Sequence, residues 1–404
     1  MNDFSQKKQI ITISAVIALL LLIGFFAYRL FQSPPKEESS TGSQGVISRL
    51  FGIRLPSPSK TPPPLEGEQP PPPGGGSPQP TAPGSVTEQK LLQLTTFPVI
   101  APSLNREENK ILFYKKEGGN LLSTDFHGAH QEKVSKITVV GLDDAVWAKT
   151  RDRAALFYLD QETMKSFVQI GTSSVTVLPQ DITSLSWSPD GKLIAYTVLK
   201  DNQLDLTIIE SSGKNAKTVF RTPLRDSRIQ WASVDTISFL TAPSGLAEGF
   251  LFAFSRAKGS FKKLLGPYFG LTTLWSPDSA QALISTTKRG GKELKLSLYT
   301  AVSGKLTDLP LHTLPEKCVW ATLKEIYCAE PRNKAANIVW PDDYYRGEIL
   351  TSDQIIRFDL ERNESETIFN EGVFDITNPI LTKTADYLFF IDGTGGMLWR
   401  LKLR

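Results

Sequence analysis

The chain has 404 residues, 40% hydrophobic and 22% charged, which is enough apolar material for a large folded body. Its 45 Lys and Arg nearly balance its 42 Asp and Glu, and beyond residue 86 the balance is 38 against 37. Near-neutrality excludes the basic footprint of a nucleic-acid-binding domain, and two cysteines without a CxxC exclude a structural zinc site.

The first element is an uncharged run of 19 residues, Ile10–Tyr28. As a helix it spans roughly 28 Å, close to the hydrocarbon thickness of a bilayer. Lys7 and Lys8 precede it and place the N-terminus in the cytoplasm. The run is longer than a signal-peptide core, and no small-x-small cleavage site follows it. Residues 1–32 are therefore expected to be a cytoplasmic tip and a single-pass plasma-membrane anchor. All that follows is expected outside the cytoplasm, at the cell surface or in a periplasm.

Residues 33–86 read as a disordered linker holding 14 of the 27 prolines, with Gly74-Gly75-Gly76 after the last polyproline run. Within it, Val46, Ile47, Leu50 and Phe51 share one helical face. That suits either a short helix on lipid head groups (residues 46–54) or a disordered apolar patch.

From residue 87 a motif recurs. Trp187-Ser188-Pro189-Asp190-Gly191-Lys192 precedes the apolar Leu193-Ile194-Ala195-Tyr196, and Trp275-Ser276-Pro277-Asp278 is a second copy. Looser copies stand at Trp147, Trp231 and Trp320, and Asn105 and Leu381 occupy the same position without the Trp. The intervals are 42, 40, 44, 44, 45 and 61 residues. A period of 40-odd residues with an aromatic anchor marks an array of β units. Each unit reads as four short strands joined by turns, and strand-length apolar runs rather than helical spacing set the class. The orphan strand at 89–95 pairs most simply with the last, three-stranded unit, closing a circle and covering an edge. The expectation is an all-β fold over residues 87–404, a seven-bladed β-propeller of four-stranded antiparallel sheets.

The Trp-Ser-Pro-Asp-Gly-Lys motif with its apolar strand resembles the WD40-like (PD40) repeat of the TolB type, also found in the propeller domains of prolyl oligopeptidases. The resemblance covers about residues 87–404, strongly at Trp187 and Trp275. It implies architecture and not activity, because the motif residues shape turns and pack between sheets. No counterpart of TolB's separate N-terminal domain or of the peptidases' hydrolase domain is expected within these residues.

No GxSxG, HExxH or Walker loop is present, so no catalytic residue, metal or cofactor is assigned. His127 and His130 form an HxxH in a turn, and Asn363-Glu364-Ser365 is a glycosylation sequon. Cys318 and Cys328 flank the Trp320 turn. They read as two buried thiols or, outside the cytoplasm, as a cross-strand disulfide, and the bridge is the expectation.

The 61-residue interval contains Trp340, Asp342, Asp343, Tyr344, Tyr345 and Arg346, in a loop between second and third strands. Aromatics with Arg are the residue types of binding hot spots. The competing reading of the same residues is a lid whose aromatics fold over their own sheet and plug the channel. Channel-entry neighbours would be Asp144, Asp181, Arg228, Tyr268, Lys317 and Asp375. Their mixed charge suggests a polar partner, a protein or glycan, at the channel mouth. The expected function is a non-enzymatic binding or scaffold module at the cell envelope. The alternative is an enzyme acting on envelope or external glycans through carboxylates such as Asp342 and Asp375.

Overall fold

The alternation of apolar and polar residues becomes strands in a computed structural model that describes residues 89–332 and 337–404. The anchor and linker expected over residues 1–86, with the island at 46–54, lie outside the described residues. Among the described residues no helix is long and apolar enough to cross a membrane.

β1 (Leu91–Gln93) begins the described chain. Then follow β2–β5 (Val99–Leu104, Ile111–Lys115, Leu121–Thr124, Glu132–Lys133), β6–β9 (Leu142–Trp147, Arg153–Asp160, Thr163–Ile170, Ser174–Val177) and β10–β13 (Ile182–Trp187, Leu193–Lys200, Gln203–Glu210, Lys217–Thr222). β14–β20 are Ser227–Trp231, Thr236–Thr241, Glu248–Ser255, Phe261–Trp275, Gln281–Lys288, Lys292–Thr300 and Lys305–Asp308. β21–β24 are Cys318–Trp320, Glu325–Pro331, Asp353–Asp359 and Glu364–Phe369, and β25–β27 are Ile376–Leu381, Tyr387–Asp392 and Leu398–Lys402.

These strands form five four-stranded antiparallel sheets and one of seven strands. The larger sheet departs from the expectation of separate four-stranded units. Its cause is the 15-residue β17, whose first part pairs with β16 and whose last part pairs with β18. The two pairings overlap at Phe269, which lies opposite both Glu248 of β16 and Thr287 of β18 within the bend at residues 266–270. Gly266 and Gly270 there take φ of 109° and 65°, which lets the strand turn from an outer to an inner position without leaving the sheet. The last sheet has the order β1-β27-β26-β25, with Leu91 opposite Leu401 and Gln93 opposite Trp399. The buried Arg400 donates to the carbonyls of Phe126 (3.0 Å) and Gln89 (2.8 Å) and pins this seam.

The repeat motif has a direct structural cause. Ser188 Oγ donates to Asp190 Oδ1 (2.6 Å) and accepts from Leu193 N–H (2.9 Å), and Asp190 Oδ1 also accepts from Lys192 N–H (3.1 Å). Ser276 and Asp278 repeat the arrangement. Such side chains complete a tight turn that the backbone alone leaves unsatisfied. Trp147 and Trp187 tie one sheet to its neighbour, and Trp275 ties β17 to β15 within the seven-stranded sheet. Trp147 Nε1 donates to Ala101 O and Trp187 Nε1 to Val146 O, both at 2.8 Å. Trp275 Nε1 donates to Ser238 Oγ (3.0 Å).

Hydrophobic clusters fill the spaces between successive sheets. One joins Leu104, Ile111 and Phe113 of the first full sheet to Phe389, Ile391 and Leu398 of the last, so the series of interfaces closes on itself. First strands of consecutive sheets lie side by side as the innermost layer, with direct bonds such as Ile229 N–H to Ser184 Oγ (2.9 Å).

Candidate functional site: the central channel and its strap

The innermost strands surround a channel of about 760 Å³. Its lining includes Ser103, Val146, Ser186, Gln230, Thr273, Cys318 and Asn378, from β2, β6, β10, β14, β17, β21 and β25 respectively. Strand alternation explains the lining. Along β14, Arg228 and Gln230 are half-buried and face the channel, while Ser227, Ile229 and Trp231 are buried.

One end is lined by Arg228, Glu316 and Tyr345. Tyr345 arrives on the long connection between β22 and β23, which acts as a strap. After Val339 the strap forms one helical turn, α1 (Asp342–Tyr345). Trp340 N–H donates to Gly291 O (3.0 Å) in the β18–β19 turn. Asp342 then accepts from Ser244 Oγ (2.8 Å) and Gly245 N–H (2.7 Å) in the β15–β16 loop. The seat requires glycine: a Cβ on Gly291 would meet the backbone nitrogen of Trp340, and Gly291 has φ of 71°. Trp340 and Tyr344 are buried with Leu294 and Leu314 beneath the strap.

Tyr345 donates its hydroxyl to Glu316 Oε1 (2.6 Å), and the Arg228 guanidinium lies 4.8 Å from its ring centroid. Burial pushes the Glu316 carboxyl up, against the Tyr345 hydrogen bond and the charge of Arg228. Burial, with the neighbouring Glu316, also raises the Tyr345 phenol well above its usual value. The phenol of Tyr345, the carboxyl group of Glu316 and the guanidinium of Arg228 are therefore in mutual contact.

The other end is lined by Lys149, Arg151, Ser276 and Pro277, from turns after the innermost strands. Arg151 pairs with Glu108 (2.8 Å). Lys149 has no hydrogen bond or ion pair with any described residue, and desolvation lowers its ammonium from the usual range.

The remaining sequence-selected residues disperse. Lys317 is 1% exposed, donating to Asp353 (2.8 Å), Asp375 (2.9 Å) and Thr351 (2.9 Å) in a buried cluster beside the strap. Burial alone would lower its pKa, but Asp353, Tyr344 and Asp375 outweigh burial and hold it well above the usual lysine value. Asp343 and Arg346 pair with each other on the strap (2.5 Å). Asp144 is 4% exposed, and burial pushes its carboxyl up to about 8. Asp181 is exposed and lines a separate cavity of about 250 Å³ with Phe157 and Met164. Tyr268 is exposed on β17, opposite Gly249. Asp342 and Asp375, the pair an acid–base mechanism would use, have different partners, and Asp375 is fully buried.

Cys318 and Cys328 are joined by a disulfide across β21 and β22, with Cα atoms 4.0 Å apart. His127 N–H bonds Asp125, and His130 Nδ1 lies 3.1 Å from the same carboxylate. Among the described residues no group of three or more His, Cys, Asp and Glu could hold a metal ion. Glu316, Asp353, Gln230, Thr273 and Asn378 escaped sequence reading. Alternation on the innermost strands was the available signal for Gln230 and Thr273; the other three needed the tertiary contacts.

Closed order of sheets, innermost strands around a channel and a short seam strand define a β-propeller. No protein-family model and no curated protein matches the chain. Its structure is similar to that of an oligogalacturonate lyase in complex with manganese (TM-score 0.58, 11% identity, covering 78% of this chain and 93% of that one). It is also similar to the oligogalacturonate lyase of Vibrio parahaemolyticus (TM-score 0.56, 11% identity, 79% and 95% covered). A third similar structure is the β-propeller domain of the Trilobed protease from Pyrococcus furiosus (TM-score 0.52, 12% identity, 76% and 97% covered). At these identities the likeness shows the fold alone.

Proposed function

We propose that this protein is a membrane-anchored, extracytoplasmic propeller of seven blades that works as a non-enzymatic binding module at the cell envelope, with its ligand in the central channel. The observation that carries this reading is a channel of about 760 Å³, within the size range of ligand sites, lined by free polar side chains. Seven innermost strands line it, and counting the seven-stranded sheet as two blades sharing β17 supports the blade number. The anchor rests on Ile10–Tyr28, and the Cys318–Cys328 bridge supports an oxidising compartment. The non-enzymatic reading is supported by the engagement of Asp342 and Asp375 in separate structural contacts. The mouth on the strap side is occupied by the protein's own Tyr345, so the ligand enters between the turns that carry Lys149 and Pro277.

The test uses the full chain in detergent with a panel of envelope components: peptidoglycan fragments, neutral and acidic glycans, and peptides. Binding is read by calorimetry and by the fluorescence of the channel tryptophans, and products by mass spectrometry. The expected result is binding without turnover that is lost when Gln230→Trp fills the channel. Binding unchanged in that variant places the ligand elsewhere, and turnover of a bound component makes the protein an enzyme.

A further inference from the structure

The channel's polar side chains divide into two sets. Ser186, Ser238, Thr272 and Ser276 are spent on internal hydrogen bonds. Gln230, Thr273, Asn378 and Lys149 make no side-chain hydrogen bond or ion pair with any described residue. Arg228 keeps guanidinium edges beyond its stacking on Tyr345.

The free set has a definite chemistry. It holds two cations, two carboxamides and a hydroxyl. The lining carboxylate, Glu316, is already bonded to Tyr345, and Arg151 is neutralised by Glu108. Carboxamides both donate and accept, which matches ligand hydroxyls. Arg228 and Lys149 are two cations against the one lining carboxyl group, Glu316, and this basic excess suits an anionic ligand. A planar guanidinium takes a carboxylate through two parallel bonds. A dianionic phosphate at the same end would bring two negative charges to the single guanidinium of Arg228.

Resting on the reading of the channel as the binding site, we propose that its ligand is a sugar acid: a polyhydroxylated molecule with one carboxylate, free or as the end of an oligosaccharide. The carboxylate sits at Arg228 beneath the Tyr345 strap. Gln230 on the same face of β14, with Thr273 and Asn378, binds the ring hydroxyls. Lys149 guards the entrance and draws the anion in.

The test is calorimetry on the full chain in detergent with galacturonate, trigalacturonate, galactose, galactose 6-phosphate and triglutamate. Galacturonate or trigalacturonate is expected to bind at least about tenfold more tightly than galactose. Preference between the two acids distinguishes the free sugar from the oligosaccharide end. Arg228→Gln is expected to weaken binding about tenfold or more, and Asn378→Ala by about threefold to tenfold. Lys149→Gln, at an exposed turn where the side chain has no bond to a described residue to lose, is expected to weaken it about threefold or more and keeps the test decisive if the Arg228 variant misfolds. The proposal is overturned if neither acid binds, if galactose binds as well, if the phosphate or the peptide binds more tightly, or if Lys149→Gln and folded Arg228→Gln bind like the parent. Should the sugar acids fail while another panel component is displaced by Gln230→Trp, the ligand class falls and the channel reading stands. Should nothing depend on Gln230, both fall.

Discussion

Two buried titratable residues show how single groups set the pH response of this protein. Asp144 is closed off from water at the start of β6, with one oxygen accepting from Ala145 N–H (2.7 Å). Its folded pKa of about 8 lies above the unfolded value, so the stability it contributes is fully present below about pH 4 and is lost as pH rises to about 8. Asp144→Asn copies the neutral form and keeps the acceptor. It is expected to leave stability at pH 4 nearly unchanged and to add at least about 1.4 kcal/mol at pH 9, measured by urea unfolding at both pH values. Lys317 behaves differently. Its folded pKa is raised by two carboxylates, so its contribution is present below the ordinary lysine value and disappears only at higher pH. Lys317→Ala strands Asp353 and Asp375 without a counter-charge, and a loss of about 3–5 kcal/mol is expected in denaturant unfolding at pH 7.

At the scale of elements, the strap and β17 show what residue types can and cannot reveal. Trp340, Tyr344, Tyr345 and Arg346 have the composition of a recognition surface, yet Trp340 and Tyr344 pack inward and Tyr345 faces the channel. Aromatic side chains bury large areas wherever they find a pocket, so composition alone does not distinguish a surface from a staple. The strap's docking rests on Gly291, where an added Cβ meets the Trp340 backbone. Gly291→Ala is expected to loosen residues 337–352, read as faster amide exchange there and increased protease cutting near Arg346, with the sheet core protected as before. The repeated turns, in contrast, were legible. Strands end at Trp147, Trp187, Trp231, Trp275 and Trp320, and Ser188 with Asp190 and Ser276 with Asp278 stabilise the turns after two of them. The continuity of β17 was hidden by Gly266, Pro267 and Gly270. These residues normally signal a break, but here they bend one strand from sheet edge to channel. Glu316 and Asn378 were equally hidden, since their roles depend on neighbours from distant parts of the chain.

At the scale of the whole molecule, the seam decides whether the circle of sheets holds. β1 contributes three residues, and its ladder with β27 is extended by bonds from Leu94 N–H to Leu398 O (2.8 Å) and Lys402 N–H to Lys90 O (2.7 Å). Leu92→Pro removes a donor from this ladder and bares β27 as an edge. A fall of about 2–3 kcal/mol in unfolding free energy is expected, with self-association visible by light scattering. An unchanged, monomeric protein would show that the interfaces between sheets hold the circle closed without β1.

The same seam imposes a timetable on synthesis. Leu91 and its partner Leu401 are 310 positions apart in the chain. At about 5–20 residues per second a ribosome takes on the order of 15–60 s to deliver the second after the first. For that interval the leading segment, already made, must wait with its pairing groups unmet while the later sheets are still being translated. The last join is therefore a clocked event, and the unjoined nascent chain is the form most exposed to chaperones and proteases.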